Sequence, residues 1–176
     1  VILQAEHGPD GLAWLVTWDT AVADEVTAEV ERLVAEAPRR DDIESTLRRS
    51  GHAVVCASPE QAIAVANAIA PEHLELQVAD PETMLPLVRH AGAVFCGPWS
   101  PASIGDYIAG PSHVLPTNGT ARFASALTVR DFMKDLHVVT ASQPALEALG
   151  PHVVTLAEAE GLDAHAASIR IRMAQP

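Results

Sequence analysis

Four short stretches of this chain gather imidazole, carboxylate and amide side chains. Gln4 and His7 stand three residues apart in Gln4-Ala5-Glu6-His7-Gly8, so one turn can bring both to a single point. His is the commonest metal ligand, and zinc accepts nitrogen and oxygen donors. Gln is an unusual ligand, and a capped loop between two elements accounts for the same residues. Glu72 and His73 are adjacent in Pro71-Glu72-His73-Leu74. A carboxylate there can act as a base and an imidazole can move protons near neutral pH; two solvated side chains on a surface loop are the alternative. Asp106 and His113 belong to the stretch FCGPWSPASIGDYIAGPSHVLPTNG, which begins at Phe95. Glycines permit tight turns and close approach of backbone to ligand. Ordering so long a loop costs conformational entropy and needs a reason. Asp106 is therefore a candidate metal ligand and His113 a candidate substrate contact. Last come Glu160 and His165 in Glu160-Gly161-Leu162-Asp163-Ala164-His165. His165 falls in a stripe with Leu162, Ala166, Ile169 and Met173. It is either a core histidine or a group delivered to another subunit's site.

The elements that must position these groups alternate in type. LAWLVTW (12–18), HAVVCA (52–57) and AGAVFCG (91–97) are short apolar runs that read as buried parallel strands. HLELQV (73–78) and DLHVVTAS (135–142) read as further strands, and VILQAEHG as the tail of a strand entering a loop. Val22, Val26, Leu33 and Ala37 repeat at helical spacing after the Asp19-Thr20 cap, with Pro38 as the stop. A short helix covers about 41–50 and stops at Gly51. Ser58-Pro59-Glu60-Gln61 is a capping box that opens a helix to about Ala70. Asp80-Pro81-Glu82 opens another, limited by Pro86. SQPALEALG (142–150) predicts a short helix ended by Gly150. The segment 95–119 is left without regular structure. Together these give an α/β fold, a mainly parallel sheet with flanking helices in a partial Rossmann-like arrangement. A C-terminal helical hairpin, broken at Gly161, follows it. The expected division is 1–140 for the α/β part and 141–176 for the hairpin, which has little core of its own and needs something to pack on.

Composition narrows the partners. Eleven Lys and Arg against 23 Asp and Glu give a formal net charge of -12. Nucleic acids and anionic membranes are met by basic patches, which this sequence lacks. No apolar run is long enough for a spanning helix, and no signal peptide is seen. Cys56 and Cys96 each sit in an apolar run, as two buried thiols or as a disulfide; buried thiols are the favoured reading. No G-x-G-x-x-G, P-loop, C-x-x-C or H-E-x-x-H motif occurs.

The stretches QAEHGPD, NAIAPEHLELQ, GPWSPASIGDYIAGPSHVLPT and EGLDAHAASIRIR, in this order, resemble the histidinol dehydrogenase family. The match covers nearly the whole chain but starts well inside the family's pattern, so the chain resembles the C-terminal portion of such an enzyme. The resemblance implies a zinc site of Gln4, His7, Asp106 and His165. It implies that Glu72 and His73 are the acid/base pair. Substrate would be held by Gln4, His7, His73, Asp106, His113, Glu160 and His165, with zinc orienting it. The implied reaction is NAD-dependent oxidation of L-histidinol to L-histidine through L-histidinaldehyde, in the cytoplasm. NAD would bind mainly through residues outside this segment, so no cofactor-binding residue is assigned and the isolated chain is expected to lack turnover. The implied assembly is a homodimer whose C-terminal hairpin reaches into the partner's site. Two alternatives stand beside this reading. One is a sister dehydrogenase acting on another small alcohol such as a sulfonated diol. Glu160 and His113 speak against it, because an anionic sulfonate would call for Arg or Lys. The other is a non-catalytic zinc-binding module.

Overall fold

The computed structural model describes residues 1–8 and 11–174. Pro9 and Asp10 of the first motif lie outside the described residues. The chain forms two compact units, one from Val1 to Phe132 and one from Met133 onward.

In the first unit the run LAWLVTW forms β1 (Ala13–Thr17). It pairs in parallel with β2 (Gly51–Val55), from Ala13 opposite Gly51 to Thr17 opposite Val55. Parallel neighbours need a crossover. It is supplied by α2 (Thr20–Glu36) and α3 (Arg40–Ser50). Asp19 caps α2 by accepting the Ala21 N–H at 2.8 Å. Val34 of α2 and Ile43 of α3 pack with Ala13 and with Ala5 into one apolar cluster, flanked by Ile2, Val30 and Leu47.

The second half of this unit repeats the logic. Ser58 accepts the Gln61 N–H and starts α4 (Pro59–Ile69), with Pro59 in the first turn. Ala70 then takes a left-handed backbone, φ 53° and ψ 62°, which is costly for a residue with a Cβ. It turns the chain directly into Pro71-Glu72-His73. The next strand, β3 (His73–Leu76), leads through α5 (Pro81–Met84) and a 3-10 turn at Leu85–Leu87 to β4 (Ala93–Cys96). Strands β3 and β4 pair in parallel, His73 opposite Ala93 and Glu75 opposite Phe95. Asn67 of α4 fastens the connection: its amide donates to Leu87 O and its carbonyl accepts from Arg89 N and His90 N.

Five expectations are corrected. The opening residues are a helix, α1 (Ile2–Ala5), because Ile2 and Ala5 bury one face at helical spacing. The parallel strands form two separate two-stranded sheets, β1-β2 and β3-β4. The long segment after Phe95 contains a helix, α6 (Ala102–Tyr107). Residues 135–142 form no strand. Leu136, Val138 and Val139 are exposed, and β propensity without a pairing neighbour does not make a strand. Finally, Gly150 does not end its helix: α7 runs Gln143–Ala159 through Gly150 and Pro151. In this second unit α7 packs on α8 (Asp163–Met173) after a turn at Gly161, φ 72°. The glycine at 150 lets α8 come close, since a Cβ there would lie 2.5 Å from Met173 Sδ and 2.9 Å from Ile169 Cγ2. Close packing thus outweighs the poor helix propensity of Gly-Pro. Cys56 and Cys96 are both free thiols, Cys56 buried and Cys96 half-buried.

Thr46, fully buried on α3, ties the first motif to this frame. Its hydroxyl donates to Gly8 O at 2.7 Å and lies 3.1 Å from Asp42 O. Thr46→Val preserves the volume but removes the hydroxyl, leaving the Gly8 carbonyl with the Gly11 N–H alone. The expected loss is about 0.5–1.5 kcal/mol of stability, measured by denaturant unfolding with an unchanged m-value; a midpoint equal to wild type would contradict it.

Candidate functional site

The β3-β4 ribbon is built from the two-residue repeat of a strand, which sends neighbouring side chains to opposite faces. One face carries Leu74, Leu76, Val94 and Cys96. These pack with Ile63 of α4 and with Met84, Val78 and Val88. The other face carries His73 and Glu75 on β3, opposite Ala93 and Phe95 on β4. A tight neck fixes where this polar face begins. Gly92 N donates to Pro71 O and Ala93 N to Glu72 O. A Cβ on Gly92 would meet Glu72 O at 2.6 Å, so only glycine fits there.

Helix α6 lies along the polar face. The Glu75 carboxylate accepts the Ala102 N–H at 2.8 Å, and Asp106 Oδ1 stands 3.4 Å from His73 Nε2. Between these contacts lies Phe95. Its ring centroid is 5.9 Å from that of His73, and a Cβ on Gly105 would fall 2.7 Å from its ring carbons. From the other side, Gln4 Oε1 on α1 lies 3.1 Å from His73 Nδ1. With an oxygen facing it, Nδ1 is the nitrogen that carries hydrogen.

His73 is therefore framed by an amide and a carboxylate, with only 10% of its side chain exposed. The Asp106 approach is within ion-pair range but lacks hydrogen-bond geometry. Nε2 is left buried with no hydrogen-bond partner, the sole such side-chain atom among the described residues. A buried polar atom without a partner is costly and calls for an explanation. A nitrogen so placed can accept a proton from a bound molecule, and Asp106 faces the positive charge the ring then acquires.

The other expected residues are distributed differently. Glu72 is half-buried at the mouth of the ribbon, next to His73 in sequence. His7 is exposed, and its Nδ1 lies 3.1 Å from Leu3 O within the same helical turn. His113 is exposed in the loop after α6. In the second unit Glu160 and His165 are both exposed. The stripe of α8 does pack, through Ala166, Ile169 and Met173, but His165 is not part of its buried face. Among the described residues no three His, Cys, Asp or Glu side chains cluster as a metal site.

Two residues of this site, Glu75 and Phe95, escape a motif-based reading. The signal for Glu75 was present: in His-Leu-Glu-Leu, the alternation puts it on the face of His73. Phe95 could be placed only with the β3-β4 register in hand.

A small parallel α/β ribbon thus presents a buried imidazole between an amide and a carboxylate. The comparisons identify the lineage. The sequence model of the histidinol dehydrogenase family matches residues 1–173. A histidinol dehydrogenase of Desulfotalea psychrophila is 47% identical over 173 residues, 98% of this chain and 40% of that protein. One of Bacillus cereus is 45% identical over 172 residues, again 98% and 40%. The crystal structure of histidinol dehydrogenase from Elizabethkingia anophelis superposes with a TM-score of 0.91 at 35% identity, over 98% of this chain and 40% of that one. The chain belongs to the histidinol dehydrogenase family. It spans about 40% of the length of the curated relatives it matches.

The Gly105–Phe95 contact generates a prediction. Gly105→Ala forces its methyl group into the Phe95 ring. Overpacking of this kind costs about 1–3 kcal/mol. The expected result is that loss in denaturant unfolding, together with altered NMR shifts of the His73 ring as Phe95 is pushed. A variant with unchanged His73 shifts would show that Phe95 does not set the ring's position.

Proposed function

We propose that this chain carries the proton-transfer part of the NAD-dependent, four-electron oxidation of L-histidinol to L-histidine by way of L-histidinaldehyde, the last steps of histidine biosynthesis. The observation that carries the reading is His73: buried, facing Gln4 at Nδ1, and without a hydrogen-bond partner at Nε2. Membership of the family supplies the substrate class.

In this reading His73 Nε2 takes the hydroxyl proton of histidinol as hydride leaves the carbinol carbon for the nicotinamide. That yields the aldehyde. Glu72 then removes a proton from water as it adds to the aldehyde carbon, the protonated His73 returns its proton to the carbonyl oxygen, and the resulting diol passes its hydride to a second NAD and releases two protons to give the carboxylate. Its half-buried position at the ribbon mouth, one residue from His73, supports that role. Asp106 faces the ring and balances its charge during the transfer. His113 and Glu160 are assigned to substrate binding, where a carboxylate suits the substrate's amine.

The zinc set that the family implies, Gln4, His7, Asp106 and His165, has suitable donors: two imidazoles, a carboxylate and an amide oxygen. The first unit by itself does not fit the ion. Gln4 and Asp106 lie against different nitrogens of His73, His7 faces Leu3 O, and no three His, Cys, Asp or Glu side chains cluster among the described residues. Exposure of both Glu160 and His165 supports a homodimer in which the helical pair offers them to a second subunit. Among the described residues no helix is long and apolar enough to cross a membrane.

The deciding measurement uses the protein expressed from its intact gene. Two NADH formed per L-histidinol consumed is the expected stoichiometry; none would overturn the reading. Glu72→Gln should leave oxidation of the alcohol near its wild-type rate and slow oxidation of the aldehyde by about 10²–10⁴-fold, the usual worth of a general base. Equal loss in both half-reactions would contradict the division of roles between Glu72 and His73.

A further inference from the structure

Glu75 has no part in the chemistry above, yet it touches the element that carries Asp106. We propose that Glu75 is a positioning residue: by capping α6 from the neighbouring strand, its carboxylate sets Asp106 against His73. The proposal rests on the reading of His73 and Asp106 as proton-handling partners.

The case begins at the start of α6. The first N–H groups of a helix have no partner within it, and a buried one must find an acceptor. The residue at the cap position is Pro101, whose side chain has no oxygen to offer. Ala102 is 3% exposed, so water is not the acceptor. Glu75 Oε1 supplies it at 2.8 Å. Its other oxygen, Oε2, lies 3.4 Å from Gln77 Nε2. Negative charge at a helix N-terminus is also favourable.

Geometry carries the effect to Asp106. His73 and Glu75 are two strand residues apart, about 6.6 Å. Ala102 and Asp106 are four helical residues apart, about 6 Å along the axis. The two steps match, so helix and strand run in opposite directions and one contact at Glu75–Ala102 sets the other at His73–Asp106. A helix of six residues cannot hold its own shape in water. Without the cap its first turn frays and Asp106 loses its fixed distance to the ring.

The test compares Glu75→Ala with Glu75→Gln in the protein expressed from its intact gene. Gln keeps an acceptor oxygen; Ala does not. Hydrogen exchange is read at Ile108 and Ala109, whose amides bond to Ile104 O at the end of α6. Loss of a cap of ordinary strength should speed exchange there by about tenfold in the Ala variant, with α4 unchanged. The turnover number should fall at least as far. The Gln variant should recover both to within about threefold of wild type. Wild-type exchange and turnover in the Ala variant would overturn the proposal. So would a Gln variant as impaired as the Ala variant, since that would assign the carboxylate a direct role in the reaction. If the wild-type protein forms no NADH from histidinol, the functional reading falls alone. His73 ring shifts then decide Glu75: a change in the Ala variant but not in the Gln variant supports the proposal, and no change in the Ala variant overturns it.

Discussion

The site depends on a match between two rulers. A strand advances about 6.6 Å in two residues and a helix about 6 Å in four. His73 and Glu75 on β3 therefore face Asp106 and Ala102 on α6 at the same time. Every other feature of this region serves that coincidence. Gly92 lets β4 close on the neck at Glu72, Gly105 lets α6 lie down on Phe95, and Phe95 fills the space between the two contacts. Gln4 approaches from a different element and fixes the far nitrogen of the same ring. The imidazole is thereby held by residues from α1, α6 and β4, none of which neighbours it in sequence.

The ribbon is also a partition. Leu74 and Leu76 belong to an apolar cluster with Ile63 and Met84, while His73 and Glu75, their immediate neighbours, face α6. The apolar cluster and the polar face are thus built from alternate residues of one strand. The left-handed Ala70, ahead of Pro71, places a strained turn where the strand is launched. Strain at such a point persists only where the surroundings over-determine it. Here they do: Ala70 is buried, and Gly92 N and Ala93 N bind the carbonyls of Pro71 and Glu72.

Much of this was legible in the sequence. Apolar runs gave β1, β2 and β4, the Ser58 box gave the start of α4, and Asp80-Pro81 gave α5. What was not legible required knowledge of contacts. Gly105 in Ser-Ile-Gly-Asp-Tyr looks like a loop residue, but it is helical because the Phe95 ring occupies the place of its side chain. Gly150-Pro151 looks like a stop, but α8 fills the groove that the glycine opens. Leu136, Val138 and Val139 have the composition of a strand and find no partner strand among the described residues. His73 and Asp106, singled out by chemical type and by resemblance, do meet. Glu75 needed the alternation taken seriously, and Phe95 needed the register.

The two-faced ribbon also has a meaning for how this sequence can change over time. Substitutions at most surface positions leave the alternation intact. A single residue inserted or deleted between Pro71 and Leu76 does not. It would turn His73 and Glu75 toward Ile63 and Met84, and send leucines to α6. Length in this stretch is therefore under stricter control than identity. Drift in this lineage should appear as changed letters here, while gaps gather in segments such as 133–142, where no ladder keeps count.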